Sequence, residues 1–268
     1  MDRDSLIGRI AEVLQSDSRV LAAWLGGSLG RGDGDRFSDV DVIVAVGDQD
    51  REDFTADWDQ AAAKIASLVL RYRVGAGPAA AFSHVTDEWL RFDVAVLAPA
   101  DIARRIATTM RLLFDRADLN DTLMASGKPL QPSGPRVTGL TMEFLRILGL
   151  LPVVIGREEY SVGVSGASLL RDMLIQLMTQ DVAVEDRGGA LHLRALLPPD
   201  RIAAINSLPA IEATRQSVIA AHLAAARHFL PLARDLCHRT GSPWPDALEE
   251  ALRAHLRREL DLEIPAGT

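Results

Sequence analysis

The chain has 268 residues, of which 48% are apolar and 25% charged, and its formal net charge is -8. That apolar share lies far above the range of disordered chains, and the length suits one large or two modest domains. The acidic balance excludes a broadly basic nucleic-acid surface, and no Lys/Arg-rich stripe interleaved with aromatics is visible.

Met1-Asp2-Arg3-Asp4 leads into an amphipathic pattern, so no signal peptide is expected. Leu6, Ile7, Ile10, Val13 and Leu14 recur at helical spacing, with Asp4 or Ser5 placed to cap the first turn. Residues 20–25 form a short apolar run that predicts a buried strand, ending at Gly26-Gly27 where the chain can turn tightly. Residues 31–38 are rich in glycine and aspartate and predict a loop. A second strand is expected over 39–46. Its period of two puts Val40, Val42, Val44 and Val46 on one face and Asp39, Asp41 and Ile43 on the other. Two carboxylates side by side repel each other unless a cation or a proton lies between them.

Asp57 is placed to cap a helix carrying Trp58, Ala61, Ala62, Ile65, Leu68, Val69 and Tyr72 on one face, broken by Gly75-Ala76-Gly77-Pro78. Residues 79–85 and 89–97 predict two strands joined by a tight turn at Thr86-Asp87-Glu88. In the second of these, Asp93 is a carboxylate in the middle of an otherwise apolar run, a position that calls for an exposed face or a specific partner. Residues 101–109 predict a helix and 110–114 a short strand. Three prolines and two glycines within 126–135 mark a linker. Beyond it, helical periodicity dominates over 138–151, 158–180, 210–240 and 246–262, which predicts an all-helical bundle. His222, His228, His238 and His255 are not spaced as a metal set and are expected to be structural or exposed. Cys237 is the single cysteine, so no intrachain disulfide can form. A reducing cytoplasm is therefore the expected location. No charge-free run approaches the roughly 20 residues that span a bilayer, and no membrane partner is expected.

Carboxylates from neighbouring strands of one sheet can hold Mg²⁺, the hard, oxygen-ligated cation of phosphate chemistry. A Gly-Gly-Ser turn opening a helix offers backbone N–H groups and a hydroxyl to a polyphosphate. No Gly-Lys-Ser/Thr follows, so this is not a Walker loop. A loop and an acidic pair follow instead of a long packed helix, so it is not a dinucleotide fingerprint either. Together the two halves point to phosphoryl or nucleotidyl transfer.

Gly27-Ser28, then Asp39-x-Asp41, then Asp93 on a later strand resembles the minimal nucleotidyltransferase module of the DNA polymerase beta superfamily. Within it, Gly26-Gly27-Ser28-Leu29-Gly30-Arg31-Gly32-Asp33 and Phe37-Ser38-Asp39-Val40-Asp41-Val42 look like the small bacterial enzymes that adenylylate antibiotics. Phe114-Asp115-Arg116, residues 155–160 and residues 170–174 also resemble aminoglycoside and lincosamide nucleotidyltransferases. The resemblance implies an α+β fold. An N-terminal nucleotidyltransferase domain (1–125, a mixed sheet flanked by helices) and a linker (126–136) would precede an all-helical acceptor-binding domain (137–268).

It further implies that Gly27 and Ser28 hold the nucleotide β/γ-phosphates, with Arg31 steadying the loop or the phosphates. Asp39 and Asp41 would ligate Mg²⁺. Asp93 would be the third ligand or would help deprotonate the acceptor hydroxyl, which attacks the α-phosphate of ATP or another NTP. Glu88 and Glu143 are candidate acceptor-binding or general-base carboxylates. The expected partners are a nucleotide and a small-molecule hydroxyl, an aminoglycoside or lincosamide-type antibiotic by likeness, with the protein a monomer or homodimer. Two alternatives stay open. One is the same chemistry on a protein or metabolite acceptor. The other is a catalytically inactive fold used as a binding or antitoxin-like module, although that reading predicts a missing acidic position and all three are present.

Overall fold

The computed structural model describes residues 1–75, 80–188 and 190–264. The chain divides into two compact units, Met1–Gly127 and Lys128–Thr268.

The first unit is built on a six-stranded mixed sheet. Its elements run α1 (Arg3–Ser16), β1 (Val20–Leu25), α2 (Gly27–Arg31), β2 (Val40–Val46), α3 (Arg51–Ala62), β3 (Leu68–Val74), β4 (Ala81–Thr86), β5 (Arg91–Leu97), α4 (Pro99–Ile102) and β6 (Arg111–Asp115). The strand order is β3-β4-β5-β2-β1-β6. Among the described strands of this sheet, β2 and β5 pair in parallel and the other neighbours are antiparallel. The alternation read from the sequence decides which face is covered. Val40, Val42, Val44, Val46, Phe92, Val94 and Val96 pack against Leu6, Ile10 and Leu14 of α1 and Phe54, Trp58 and Ala62 of α3. The opposite face is apolar at one end only, where Ile43, Ala45 and Leu97 pack with Trp24 around Ile102 of α4. Towards the other end of β2 and β5, the same face presents Asp41 and Asp93.

Several local expectations are corrected. The first cap is Asp2, whose side chain accepts from the Ser5 N–H. The helix expected to start at Asp57 instead runs over α3, with Asp57 on its surface bonded to Arg19 at 2.9 Å, and residues 68–74 are a strand. Ile65, Leu68, Val69 and Tyr72 satisfy a helical spacing. However, Leu68–Val74 alternates two arginines with Tyr72 and branched or long apolar side chains, and β4 supplies its ladder. Gly75 closes β3 with φ +85°; the rest of the expected break, 76–78, lies outside the described residues. The helix expected over 101–109 shrinks to α4, begun by Pro99, and a separate single turn at Ala107–Thr109.

The second unit is all helical: α5 (Gly134–Leu148), α6 (Leu151–Gly156), α7 (Tyr160–Gln180), α8 (Leu193–Leu196), α9 (Pro199–Asn206), α10 (Arg215–Thr240) and α11 (Asp246–Leu260), with a short turn at Ala190–His192. Its core is continuous, and Phe144 stacks on Phe229 with ring centres 3.8 Å apart. The stretch Gly134–Gly156 has the length and apolar character of a bilayer-spanning segment, yet half of its apolar 18-residue window is buried inside the fold and α5 ends before α6 begins. Glu249, also buried, is satisfied by Arg234, by Arg253 at 2.7 Å and by the Trp244 indole at 2.7 Å. His222 is buried as well, its Nδ1 2.8 Å from the Val218 carbonyl.

His84 of β4 faces the helix-covered side of the sheet. It accepts from Trp58 Nε1 at 3.2 Å and stacks on Phe92 at 4.4 Å. Burial pushes its pKa down to about 4. The folded protein therefore keeps the ring neutral while the unfolded chain protonates near 6.5. This stabilisation is complete above that value and is lost as pH falls through about 4, roughly 3 kcal/mol in all. Denaturant unfolding between pH 7 and pH 4 is expected to show this loss, and His84→Gln to remove most of it from the pH profile.

Candidate active site

The site starts where β1 runs out of side chains. The Gly26 N–H donates to the Asp41 carbonyl at 2.8 Å, and the Gly30 N–H returns to the Gly26 carbonyl at 2.7 Å, closing the single turn of α2. Gly27 has φ +54°, and a Cβ there would fall 1.8 Å from Asp41 Oδ2. The missing side chain is the space that the Asp41 carboxylate occupies. At Gly30 a Cβ would meet the Thr109 and Leu25 carbonyls at 2.3 and 2.6 Å, so α2 can lie against the sheet only because that residue is glycine. Ser28 is buried in this turn, and its carbonyl accepts from the Asp33 N–H at 3.0 Å.

The acids arrive from β2 and β5. Asp39 sits just ahead of β2. Asp41 lies directly opposite Asp93 in the parallel register of β2 with β5, while Ser83 of β4 lies opposite Asp93 from the other side. From that position Ser83 favours the ionised Asp93 carboxylate. Arg91, two residues before Asp93 on the same face, pairs with Asp39 at 3.6 Å. Arg31 pairs with Asp33 at 3.3 Å and places its charge near Asp41. Burial raises the Asp41 pKa, and the negative charges of Asp39 and Asp93 add to that; Arg31 and Arg91 oppose it. Burial also raises Asp93, with Asp39 adding, while the Ser83 hydrogen bond and Arg91 act the other way.

The structure thus gathers Gly27, Ser28, Arg31, Asp39, Asp41 and Asp93 around one end of the sheet. Glu88 lies on the β4–β5 turn, where the N-terminal ammonium of Met1 pairs with it. Glu143 lies on α5 in the second unit, where Arg146 takes both its oxygens at 2.7 Å and holds its pKa below the usual carboxylate value. Both glutamates are engaged in ion pairs. Sequence reasoning missed Arg91 and Ser83. Arg91 was within reach, since the period of two that marks Asp93 marks Arg91 as well. Ser83 depends on strand register and left no local signal.

Residues 7–78 match the family described as nucleotidyltransferase domain. The N-terminal unit carries a nucleotidyltransferase domain. The match spans the glycine turn and both β2 aspartates, and it ends short of Asp93. No curated protein matches the chain in sequence. Among solved structures, an aminoglycoside 6-adenyltransferase from Bacillus subtilis is similar, with 13% identity over 94% of this chain and 95% of that one and a TM-score of 0.45. A nucleotidyltransferase-like protein from Exiguobacterium sibiricum is also 13% identical, over 92% of this chain and 84% of that one, with a TM-score of 0.31. Overlaps this loose decide nothing about substrate.

Among the described residues, no three His, Cys, Asp or Glu side chains converge as a ready-made metal group. The donor set of the nucleotidyltransferase domain nevertheless fits a hard divalent cation. Asp41 and Asp93 are adjacent, half-buried carboxylates whose ionisation is opposed by burial and by neighbouring negative charge.

Two outcomes are expected. Gly27→Ala forces a Cβ against Asp41 at a left-handed φ and should lower stability by roughly 1–3 kcal/mol in denaturant titrations, with loss of any nucleotide binding. Because the folded state holds the Asp41 proton more tightly than the unfolded chain does, ionising it costs stability as pH rises past the ordinary carboxylate range of about 3.8. Asp41→Asn removes that cost. It should melt higher than the parent at pH 7 in chelator, and the gain should vanish as pH falls towards 3.8.

Proposed function

We propose that this chain is an enzyme that transfers a nucleoside monophosphate, AMP from ATP or the equivalent from another NTP, to a hydroxyl of a small molecule. One observation carries the reading: Asp41 and Asp93 stand in register on adjacent strands, and the Gly27 turn fits against Asp41 with no room for a side chain. Phosphate-binding backbone and paired acids are then two sides of one pocket.

In this reading Gly27 and Ser28 hold the β/γ-phosphates, and Arg31 adds positive charge beside them. Asp39 and Asp41 would hold Mg²⁺, which when bound supplies charge neutralisation at the phosphates, and Asp93 would be the third ligand or would take the acceptor's proton. The half-buried Asp93, its pKa raised, is suited to receive the acceptor's proton. The acceptor oxygen forms its bond to the α-phosphorus as the bond to the leaving pyrophosphate breaks, and the proton passes to the Asp93 carboxylate. Glu88 and Glu143 serve the acceptor only by giving up their pairs with Met1 and Arg146. The acceptor class follows from the sequence resemblance alone: a polyhydroxylated, cationic antibiotic of aminoglycoside type, or a lincosamide. The acidic net charge of -8 suits a cationic acceptor.

The test is a screen of aminoglycosides, lincosamides and metabolites with α-labelled ATP and Mg²⁺. Asp39→Ala and Asp41→Ala should each lower turnover by roughly a thousandfold or more, about 4 kcal/mol of barrier, with circular dichroism unchanged. EDTA should abolish transfer and Mg²⁺ restore it. Near-normal turnover by either variant overturns the assignment. Label appearing only on protein moves the acceptor to the protein class, and absence of nucleotide binding by calorimetry leaves a binding module.

A further inference from the structure

The phosphate and metal roles leave Arg91 unused. It opens β5 on the same face as Asp93, and its guanidinium pairs with Asp39 at 3.6 Å and donates to the Phe37 carbonyl at 3.5 Å. The two side chains are 42% and 37% exposed, so water reaches both and the pair is weak. Asp39 is also the acid that would complete the set with Asp41 and Asp93, and no three such groups converge among the described residues. The charge of Arg91 further acts on both Asp41 and Asp93. Arg31, the other cation acting on Asp41, is paired with Asp33 on the glycine-rich side. Arg91 is thus the guanidinium seated on Asp39, at the mouth of the acid cluster.

We propose that Arg91 is an internal counter-ion that occupies Asp39 while no divalent cation is bound and yields it when one arrives. The inference rests on the reading of Asp39, Asp41 and Asp93 as the cation's ligands. A guanidinium held on Asp39 repels a divalent ion beside it and takes up part of the carboxylate's acceptor capacity, so the two compete. The guanidinium relieves repulsion among the three acids in the metal-free protein and lowers its affinity for a bare cation. A cation that arrives on an NTP brings its own phosphate ligands and so displaces the weak pair more readily.

The test uses the full chain without nucleotide at neutral pH and low salt. Mn²⁺ binding is followed by electron paramagnetic resonance and calorimetry, with folding of each variant checked by circular dichroism. Arg91→Gln is expected to bind Mn²⁺ about two- to fivefold more tightly than the parent, the range an exposed ion pair allows, and Arg91→Lys to stay close to the parent. In EDTA, Arg91→Gln should melt below the parent, and saturating Mn²⁺ should erase that gap. If the parent binds Mn²⁺ and Arg91→Gln binds it no more tightly, the counter-ion role is overturned while the cation site stands. An equal gain in Arg91→Lys overturns it too, since the charge would then not be the competitor. If neither parent nor Arg91→Gln binds Mn²⁺, the cation reading itself has failed.

Discussion

The parallel pairing of β2 with β5 is the constraint on which the N-terminal unit depends. In an otherwise antiparallel sheet, this one pair sets two strands side by side with the same polarity, and its register brings Asp41 opposite Asp93. A slip of one residue would turn Asp93 into the helix-covered core and Phe92 out of it. The apolar alternation that buries Val40, Val42, Val44, Phe92, Val94 and Val96 therefore also enforces the acid pair. Packing and chemistry are written on opposite faces of the same residues, and the energy of the first holds the second in place against its own repulsion.

That repulsion is managed locally. The Ser83 hydroxyl, Arg91 and Arg31 each favour ionisation of one or more of the acids, yet burial and mutual charge prevail at Asp41 and Asp93. Such residual frustration, set beside a tightly packed valine and aromatic core, is the kind of local conflict that clusters at functional sites. The second unit shows the contrast. Its buried Glu249 is fully satisfied by two arginines and an indole, and its pKa is lowered. One buried acid is finished and the other pair is left open.

Much of this was legible in the chain because the decisive features are local. Gly26-Gly27-Ser28 ends an apolar run, and Asp39-x-Asp41 heads one. A midstrand Asp93 stands out against β propensity. What was lost depended on non-local pairing. Residues 68–74 carry apolar spacing compatible with a helix face, and only their ladder with β4 makes them a strand. Ser83 acquires its role from register with Asp93, which no local pattern encodes. Arg91 could have been read from the period of two that singled out Asp93. Glu88 and Glu143 rest on a weaker signal: carboxylates near a loop or on an exposed helix are plentiful, and in the fold these two pair with the Met1 ammonium and with Arg146.

The hydrogen bond from the Gly26 N–H to the Asp41 carbonyl ties the glycine turn to the acid strand. With Gly27 seated against the Asp41 carboxylate and Gly30 against two carbonyls, the turn is fastened to the sheet at three places. The backbone of the glycine turn and that of the acid strand are therefore joined directly, and under the proposed nucleotidyl transfer a triphosphate would find little main-chain freedom left to freeze. Only side-chain torsions would remain to be set. In that proposed reaction such preorganisation would leave binding energy for the reacting groups instead of for assembling their scaffold.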